Sequence, residues 1–342
     1  MRVLHDPVHA RHESQSELHE GRLRRSFECP ERMATILGAL AEAGFEAPVT
    51  PDPLPLGLLE RVHAPAYVRF LETAHDRWVA EHGQGDAIPF TWPVPGLRRT
   101  SPPEDIDGVL GHCNFSVDTC ITAGTWDAAL GAAACAHAAA GLVAAGRGPA
   151  FALARPPGHH AHRELYGGYC YLNNAAIAAE TLREAGAARV AVLDIDYHHG
   201  NGTQAIFWER ADVLTISLHA DPRAEFPYFL GHADETGAGP GEGANLNLPM
   251  PAGTPIADWG EALDTALERV ARHGAEALVV PLGVDTFEGD PISKFRLATQ
   301  DFPAIGARIA AAGLPTVFVM EGGYAVEALG RNVAGVLGGF LG

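Results

Sequence analysis

Five short runs of apolar, mostly β-branched residues mark the chain from residue 151 onward: Phe151–Ala154, Arg189–Ile195, Val213–Leu218, Ala277–Val284 and Thr316–Met320. Each has the length of a strand and reads as one buried on both faces. Between or after them the apolar spacing becomes helical. Asn173–Ala185 is rich in Ala and Leu and is stopped by Gly186; Ala257–His273 ends at Gly274; Asp301–Ala312 opens on an N-cap residue and stops at Gly313. Strand–helix alternation predicts an α/β fold with a parallel sheet covered on both faces. With no internal repeat and no low-complexity linker, this part of the chain reads as one continuous sheet domain.

The first third is less regular. Glu31–Ala43 and Pro65–Glu81 have helical patterns, whereas His82–Asp107, HGQGDAIPFTWPVPGLRRTSPPEDID, is rich in Pro and Gly and has no period. A loop of that length inside a compact domain is usually functional or disordered, and it is read here as an insertion projecting from the sheet domain. Its apolar residues Ile88, Phe90, Trp92, Val94 and Leu97 fit either packing on their own domain or a contact in a twofold dimer. Ala128–Gly146 is uncharged and long enough to span a bilayer, but its large aliphatics are only Leu130, Leu142 and Val143. Ala and Gly gain little in lipid, so the segment predicts a close-packed core helix.

Composition narrows the function. Acidic residues number 42 and basic residues 24, a net charge of −18. That balance opposes nucleic acid, which binds through Lys and Arg. It suits a cationic ligand, although an acidic surface also simply maintains solubility. Cys29, Cys113, Cys120, Cys135 and Cys170 are odd in number and form no C-x-x-C pair, which predicts reduced thiols in the cytoplasm. The N-terminal residues show no apolar signal-peptide core, so no secretory signal is expected.

The residues that follow each predicted strand carry the chemistry. RPPGHH follows the first with His159 and His160, DYHHGNG the second with Asp196, His198 and His199, Asp285 the fourth, and EGGY the fifth with Tyr324. In open α/β sheets this edge forms the ligand crevice. Asp196 and His198, two apart on an extended segment, point to one side, and Asp285 adds a third donor from another strand. Three protein ligands and an open position is the pattern of catalytic zinc. Taken alone, a D-x-H triplet is more often a cap or a turn. The adjacent histidines shift that balance, because imidazole near neutral pH can take or give a proton. His199 reads as support for the turn. Asp194 faces the same side as Asp196, where it could orient an imidazole or help to hold a second cation. Tyr324, after two glycines, is either a core tyrosine at a strand exit or a hydrogen-bond donor to an oxyanion.

Taken together, RPPGHH, GGYCYLNN, LDIDYHHGNGTQ, ISLH, GVDTFEGDP and MEGGY resemble the motif set of the zinc-dependent histone deacetylase family. The insertion and the HES, SEL, RRTSP and GTW segments look most like its bacterial acetylpolyamine amidohydrolase branch. The resemblance implies an arginase–deacetylase fold, a single domain over 1–342 with a parallel sheet of about eight strands. It implies Zn²⁺ on Asp196, His198 and Asp285, His160 as general base, and His159 as electrostatic partner or proton donor held by Asp194. Tyr324 would stabilise the oxyanion. Gly168, Tyr169 and Phe226 would border the substrate passage, with the two aromatic rings as its walls. A structural K⁺ would use Asp194, Asp196, His198, Ser217 and Leu218, and a second would lie around Phe207, Arg210 and Val213. Asn201 stands where some members have Asp, which would make the partner of His160 neutral.

The resulting expectation is a hydrolase that removes acetyl groups from polyamines or diamines, releasing acetate. Carboxylate–imidazole sites also accept Fe²⁺ and Co²⁺. Glu17, Asp107 and Asp118 are expected to rim the passage and attract ammonium groups, and the insertion to narrow its mouth. A homodimer is expected, with no nucleic-acid or membrane partner. The alternatives are a protein lysine deacetylase and a catalytically silent module that binds acetylated amines.

Overall fold

The computed structural model describes residues 1–98 and 100–342, without the Leu56 side chain; Arg99, in the RRTSP segment of the insertion, lies outside the description. The five predicted strands all form. They are β4 (Ala150–Ala152), β5 (Val190–Asp194), β6 (Val213–Ala220), β8 (Ala277–Leu282) and β9 (Thr316–Met320). Two more, β1 (Arg2–Leu4) and β7 (Asn245–Met250), sit at the sheet's edges, so the sheet has seven strands rather than about eight. β7 escapes the apolar pattern because its sequence, NLNLPM, alternates Asn and Leu at a half-covered edge. A small antiparallel hairpin, β2 (Glu17–His19) with β3 (Arg22–Arg24), lies outside the sheet.

All sheet pairings are parallel, in the order β1-β4-β9-β8-β5-β6-β7. From β5 the chain moves one way to β6 and β7, then returns to the other side of β5 for β8 and β9. A reversal of this kind opens a crevice at the carboxyl ends of the strands flanking it, here β5 and β8.

Alternate strand residues explain the uninterrupted apolar runs. Val190, Val192, Val279, Val317 and Val319 face one core, with α2 (Leu56–Val62), α3 (Pro65–His82), α5 (Thr125–Ala144) and α6 (Asn174–Glu184). Ala191, Leu193, Leu278, Val280, Phe318 and Met320 face the other, with α1 (Glu31–Glu42), α8 (Ile256–His273), α9 (Phe302–Ala310) and α10 (Val326–Leu341). The uncharged stretch is α5; it is long and apolar enough to cross a membrane, but most of it is buried against α6 and β4. Among the described residues, the insertion forms no helix or strand between His82, the last residue of α3, and the start of α4 (Ile106–His112), and a bridge from Ala87 to Ile121 ties it down. Of its apolar residues, Phe90, Val94 and Leu97 are exposed, whereas Ile88 and Trp92 are half-buried. Trp92 Nε1 donates to Asn114 Oδ1 at 2.9 Å.

Candidate active site

Four strand ends deliver the predicted chemistry to one place. The β5 end carries Asp194, Asp196 and His198; across the reversal, the β8 end carries Asp285; β9 leads into Tyr324 and β4 into His159 and His160. Asp196, His198 and Asp285 are buried, with donor atoms all within 4.8 Å of one another. His198 Nδ1 lies 3.0 Å from Asp285 Oδ2 and 3.4 Å from Asp196 Oδ1.

Backbone groups aim these carboxylates. Asp196 Oδ1 accepts from His198 N at 2.9 Å and its Oδ2 from Gly322 N at 2.8 Å. Asp285 Oδ1 accepts from Tyr197 N at 2.9 Å. Burial, followed by the neighbouring charge of Asp196, pushes the Asp285 carboxyl up to about 7. Two buried carboxylates sharing one imidazole form an acid-rich cluster, and a divalent cation would balance it. The N/O donor set fits Zn²⁺, with the outer oxygens already held by hydrogen bonds.

The adjacent histidines differ sharply. His159 Nδ1 lies 2.9 Å from Asp194 Oδ2. Burial pulls the His159 ring down, but the charges of Asp194 and Asp196 outweigh it and hold the ring at about 10. His160 instead meets Asn201, with Nδ1 2.5 Å from Oδ1. Burial and the charges of His159 and His198 press its pKa well below the ordinary histidine value. The two rings are thus pushed in opposite directions, His159 toward its protonated form and His160 toward its neutral one.

Tyr324 follows Gly322 and Gly323 out of β9. Asp290 Oδ2 accepts from the backbone N of Tyr324 at 2.7 Å and of Ala325 at 3.2 Å. The Arg32 guanidinium stacks 4.9 Å from the Tyr324 ring centre. Burial raises the phenol pKa far above its usual value, which keeps the hydroxyl protonated and able to donate.

Of these groups, His160, His198 and Tyr324 line a cleft of about 490 Å³. Gly168, Tyr169 and Phe226 line it as expected, with Tyr169 5.6 Å from Tyr324 and Phe226 5.1 Å from His160 between ring centres. A Cβ on Gly168 would lie 2.4 Å from His160 Cδ2 and 3.1 Å from Phe226 Cε1. Only glycine leaves this throat open.

The acidic rim differs from the expectation. Asp118 lines the cleft, but Glu17 and Asp107 do not. Strand alternation in β2 turns Glu17 inward and Leu18 outward. Glu17 Oε2 accepts from Tyr169 Oη at 2.9 Å and Ser26 Oγ at 2.8 Å, so Glu17 fixes an aromatic wall. Asp107 sits in the first turn of α4 (Ile106–His112) and meets His82 Nε2 at 2.8 Å. No described residue of the insertion lines this cleft, so within one chain the insertion does not narrow it. The mouth is built by Glu20, Asp118 and Glu225, with Lys294 paired to Glu225 at 2.7 Å.

Two buried acids went unassigned although the quoted motifs contain them. Glu321 Oε2 accepts from Gly158 N at 2.6 Å and His159 N at 3.1 Å, clamping the histidine pair from behind. Asp290 is the cap on the Tyr324 backbone described above. For the expected K⁺ sites, Asp194 pairs in register with Ser217, while Ser217 Oγ lies 2.8 Å from His219 Nδ1. The Phe207 carbonyl accepts from Arg210 N at 2.9 Å, and Val213 starts β6 nearby in the chain.

The histone deacetylase domain model matches residues 26–340. The chain belongs to the histone deacetylase family. It is 51% identical to an acetylpolyamine amidohydrolase of Mycoplana ramosa, covering 100% of both chains. It is 49% identical to acetylpolyamine amidohydrolase 1 of Pseudomonas aeruginosa, covering 100% of this chain and 99% of that one. The crystal structure of an acetylpolyamine aminohydrolase from Burkholderia pseudomallei superposes with a TM-score of 0.94 at 41% identity, covering 99% of this chain and 98% of that one. These likenesses cover 99–100% of the chain.

Proposed function

We propose that this histone deacetylase family member hydrolyses the acetyl amide of acetylated polyamines or diamines, giving acetate and a free amine. The observation that carries the reading is the buried Asp196–His198–Asp285 cluster beside one neutral and one cationic histidine, with a protonated Tyr324, at the base of a cleft. A divalent cation on those three residues, which we take to be Zn²⁺ with Fe²⁺ and Co²⁺ as alternatives, supplies Lewis-acid polarisation of the carbonyl and of water.

The chain's own groups do the rest. Neutral His160 takes the proton of the attacking water at Nε2. The Tyr324 hydroxyl hydrogen-bonds the oxyanion as the carbonyl becomes tetrahedral. Cationic His159, held by Asp194, gives a proton to the departing amine. Glu321 fixes the backbone of Gly158 and His159. The reaction requires no Ser or Cys nucleophile, and burial pushes the Cys170 thiol pKa well up, away from the thiolate form.

The acidic mouth and the full-length likeness to acetylpolyamine amidohydrolases support a polyamine substrate over a lysine on a folded protein. Asp194 in register with Ser217 supports a structural K⁺ with Asp196, His198 and Leu218; a second, around Phe207, Arg210 and Val213, belongs to the same reading. Exposed Phe90, Val94 and Leu97 support a twofold dimer joined through the insertion, in which one chain's loop can wall its partner's cleft. All five cysteines are free and buried, which supports a reducing, cytoplasmic setting.

The test is turnover of acetylputrescine, acetylspermidine, acetylcadaverine and an acetyl-lysine peptide, side by side. The small acetylated amines should have the highest kcat/KM. A peptide that surpasses them would transfer the reading to protein lysines, and binding without turnover would leave only a binding module.

A further inference from the structure

A second cavity, about 880 Å³ between α3, α4 and residues 162–165, lies outside the candidate active site, yet one side chain that borders it is linked through Asn201 to His160. His162 lines this cavity, and buried Asn201 stands between His162 and His160. Asn201 Oδ1 is 2.5 Å from His160 Nδ1, and its Nδ2 is 2.7 Å from His162 Nε2. The surrounding backbone is fixed. Gly202 N and Thr203 N, in α7 (Asn201–Phe207), both donate to the His159 carbonyl at 3.1 Å. A Cβ on Gly202 would lie 2.3 Å from the Ala161 carbonyl oxygen. Asn201 therefore has no room to slide between the rings, and its remaining freedom is to turn its amide over.

That turn matters because an amide accepts at one end and donates at the other. With its oxygen toward His160, that ring carries its proton on Nδ1 and keeps a lone pair on Nε2. With the amide reversed, His160 Nδ1 must accept, the proton moves to Nε2, and the ring cannot act as a base toward the cleft. A neutral His162 with a bare Nε2 accepts from Asn201 Nδ2 and holds the first arrangement. Burial pushes the His162 imidazole down to about 4, so it stays neutral near pH 7. His162 Nδ1 has no protein partner among the described residues, and the ring borders a cavity where water can accept its proton.

From this geometry we infer that His162 is a positioning residue for deacetylation: it orients the Asn201 amide and thereby sets the tautomer in which His160 is a base. The inference rests on the reading of His160 as the base. A carboxylate at position 201 would not need His162, since both of its oxygens accept. The amide is what makes a third residue necessary.

His162→Phe keeps a ring against Phe115, whose centre lies 5.7 Å away, and removes the acceptor. The expected result is a fall in kcat of about tenfold, the scale of one net hydrogen bond. KM and metal content should hold, and the ¹⁵N signals of His160 should move toward the Nε2–H tautomer. In an Asn201→Asp background the same substitution should change kcat by less than about twofold, because the coupling is gone. Equal losses in both backgrounds, or an unmoved His160 tautomer, would overturn the inference. The tautomer is read without turnover. An unsubstituted protein that deacetylates nothing would therefore sink the proposed function while leaving the His160–Asn201–His162 result to be judged separately.

Discussion

The floor of the cleft and its mouth are built on different principles. On the floor, Asp196 and Asp285 are wholly buried, and backbone N–H groups hold the carboxylate oxygens of both. At the mouth, Glu20 is exposed and Asp118 half-exposed, and Glu225 is shared with an exposed lysine. Burial makes each floor contact strong and position-dependent, whereas water screens each mouth contact. Chemistry should therefore fail abruptly when the floor is altered, and selectivity should shift by degrees when the mouth is.

The largest effect should come from the metal cluster. His198→Ala or Asp285→Ala should lose bound metal and bring turnover to background, because a three-ligand site has no ligand to spare; metal analysis alongside an acetylputrescine assay checks this, and strong chelation should act likewise. Full turnover by metal-free protein would overturn the floor's assigned chemistry. Next, Tyr324→Phe should retain metal and KM while kcat falls about 10²–10³-fold, the cost of one oxyanion donor. An unchanged kcat would reduce Tyr324 to packing.

The third effect is on stability and involves interior histidines away from the mouth. Burial holds His12, His63 and His219 at about 4, against an ordinary value of 6.5. The unfolded chain therefore binds more protons than the folded one between those values. Stability from these groups is fully present above pH 6.5 and is lost as pH falls toward 4, by up to about 1.4 kcal/mol per pH unit for each histidine. Denaturant titrations at pH 7, 6, 5 and 4 should show a steep decline; a flat profile would mean that these rings are already protonated in the fold.

The smallest effect belongs to the mouth. Asp118→Asn or Glu20→Gln should raise KM for acetylspermine about two- to fivefold and leave an uncharged acetamide unaffected, as fits exposed ion pairs. Added salt should erase the difference. A rise shared by the uncharged substrate would show that the change altered the shape of the cleft rather than its charge.

The same division governs what the sequence reveals. Floor residues follow apolar runs directly, so predicting β5 also predicts where Asp196 and His198 emerge, and predicting β8 does the same for Asp285. Helix ends marked by Gly186 and Gly274 were legible for the same local reason. The mouth is assembled from a hairpin at residues 17–24, the loop around Glu225 and the segment 291–294, and no local pattern says that these meet. Glu17 illustrates the failure: the sequence leaves it a lone acid at the rim, free to meet an ammonium group, but strand alternation in a hairpin too short to announce itself turned it inward onto Tyr169. Asp107 looked equally free until α4 began beside it and supplied His82 as a partner. β1 and β7 stayed hidden because one has three residues and the other is interrupted by asparagines.

The missing side chain at Gly168 has a consequence for how a molecule is chosen. Charge acts on a visitor at the mouth, several ångströms before contact, while the gap between His160 and Phe226 acts only on what touches it. The two are filters in series, and their selectivities multiply. An unbranched tether satisfies both, whereas an equally charged but branched or cyclic amine passes the first and stalls at the second. Such a molecule would occupy the vestibule without reacting, so bulky polycations should act as competitive inhibitors whose potency falls with salt, while thin neutral acetamides should react slowly and ignore salt. Size and charge can thus be separated experimentally in one protein, because a single absent methyl group has placed them at different depths.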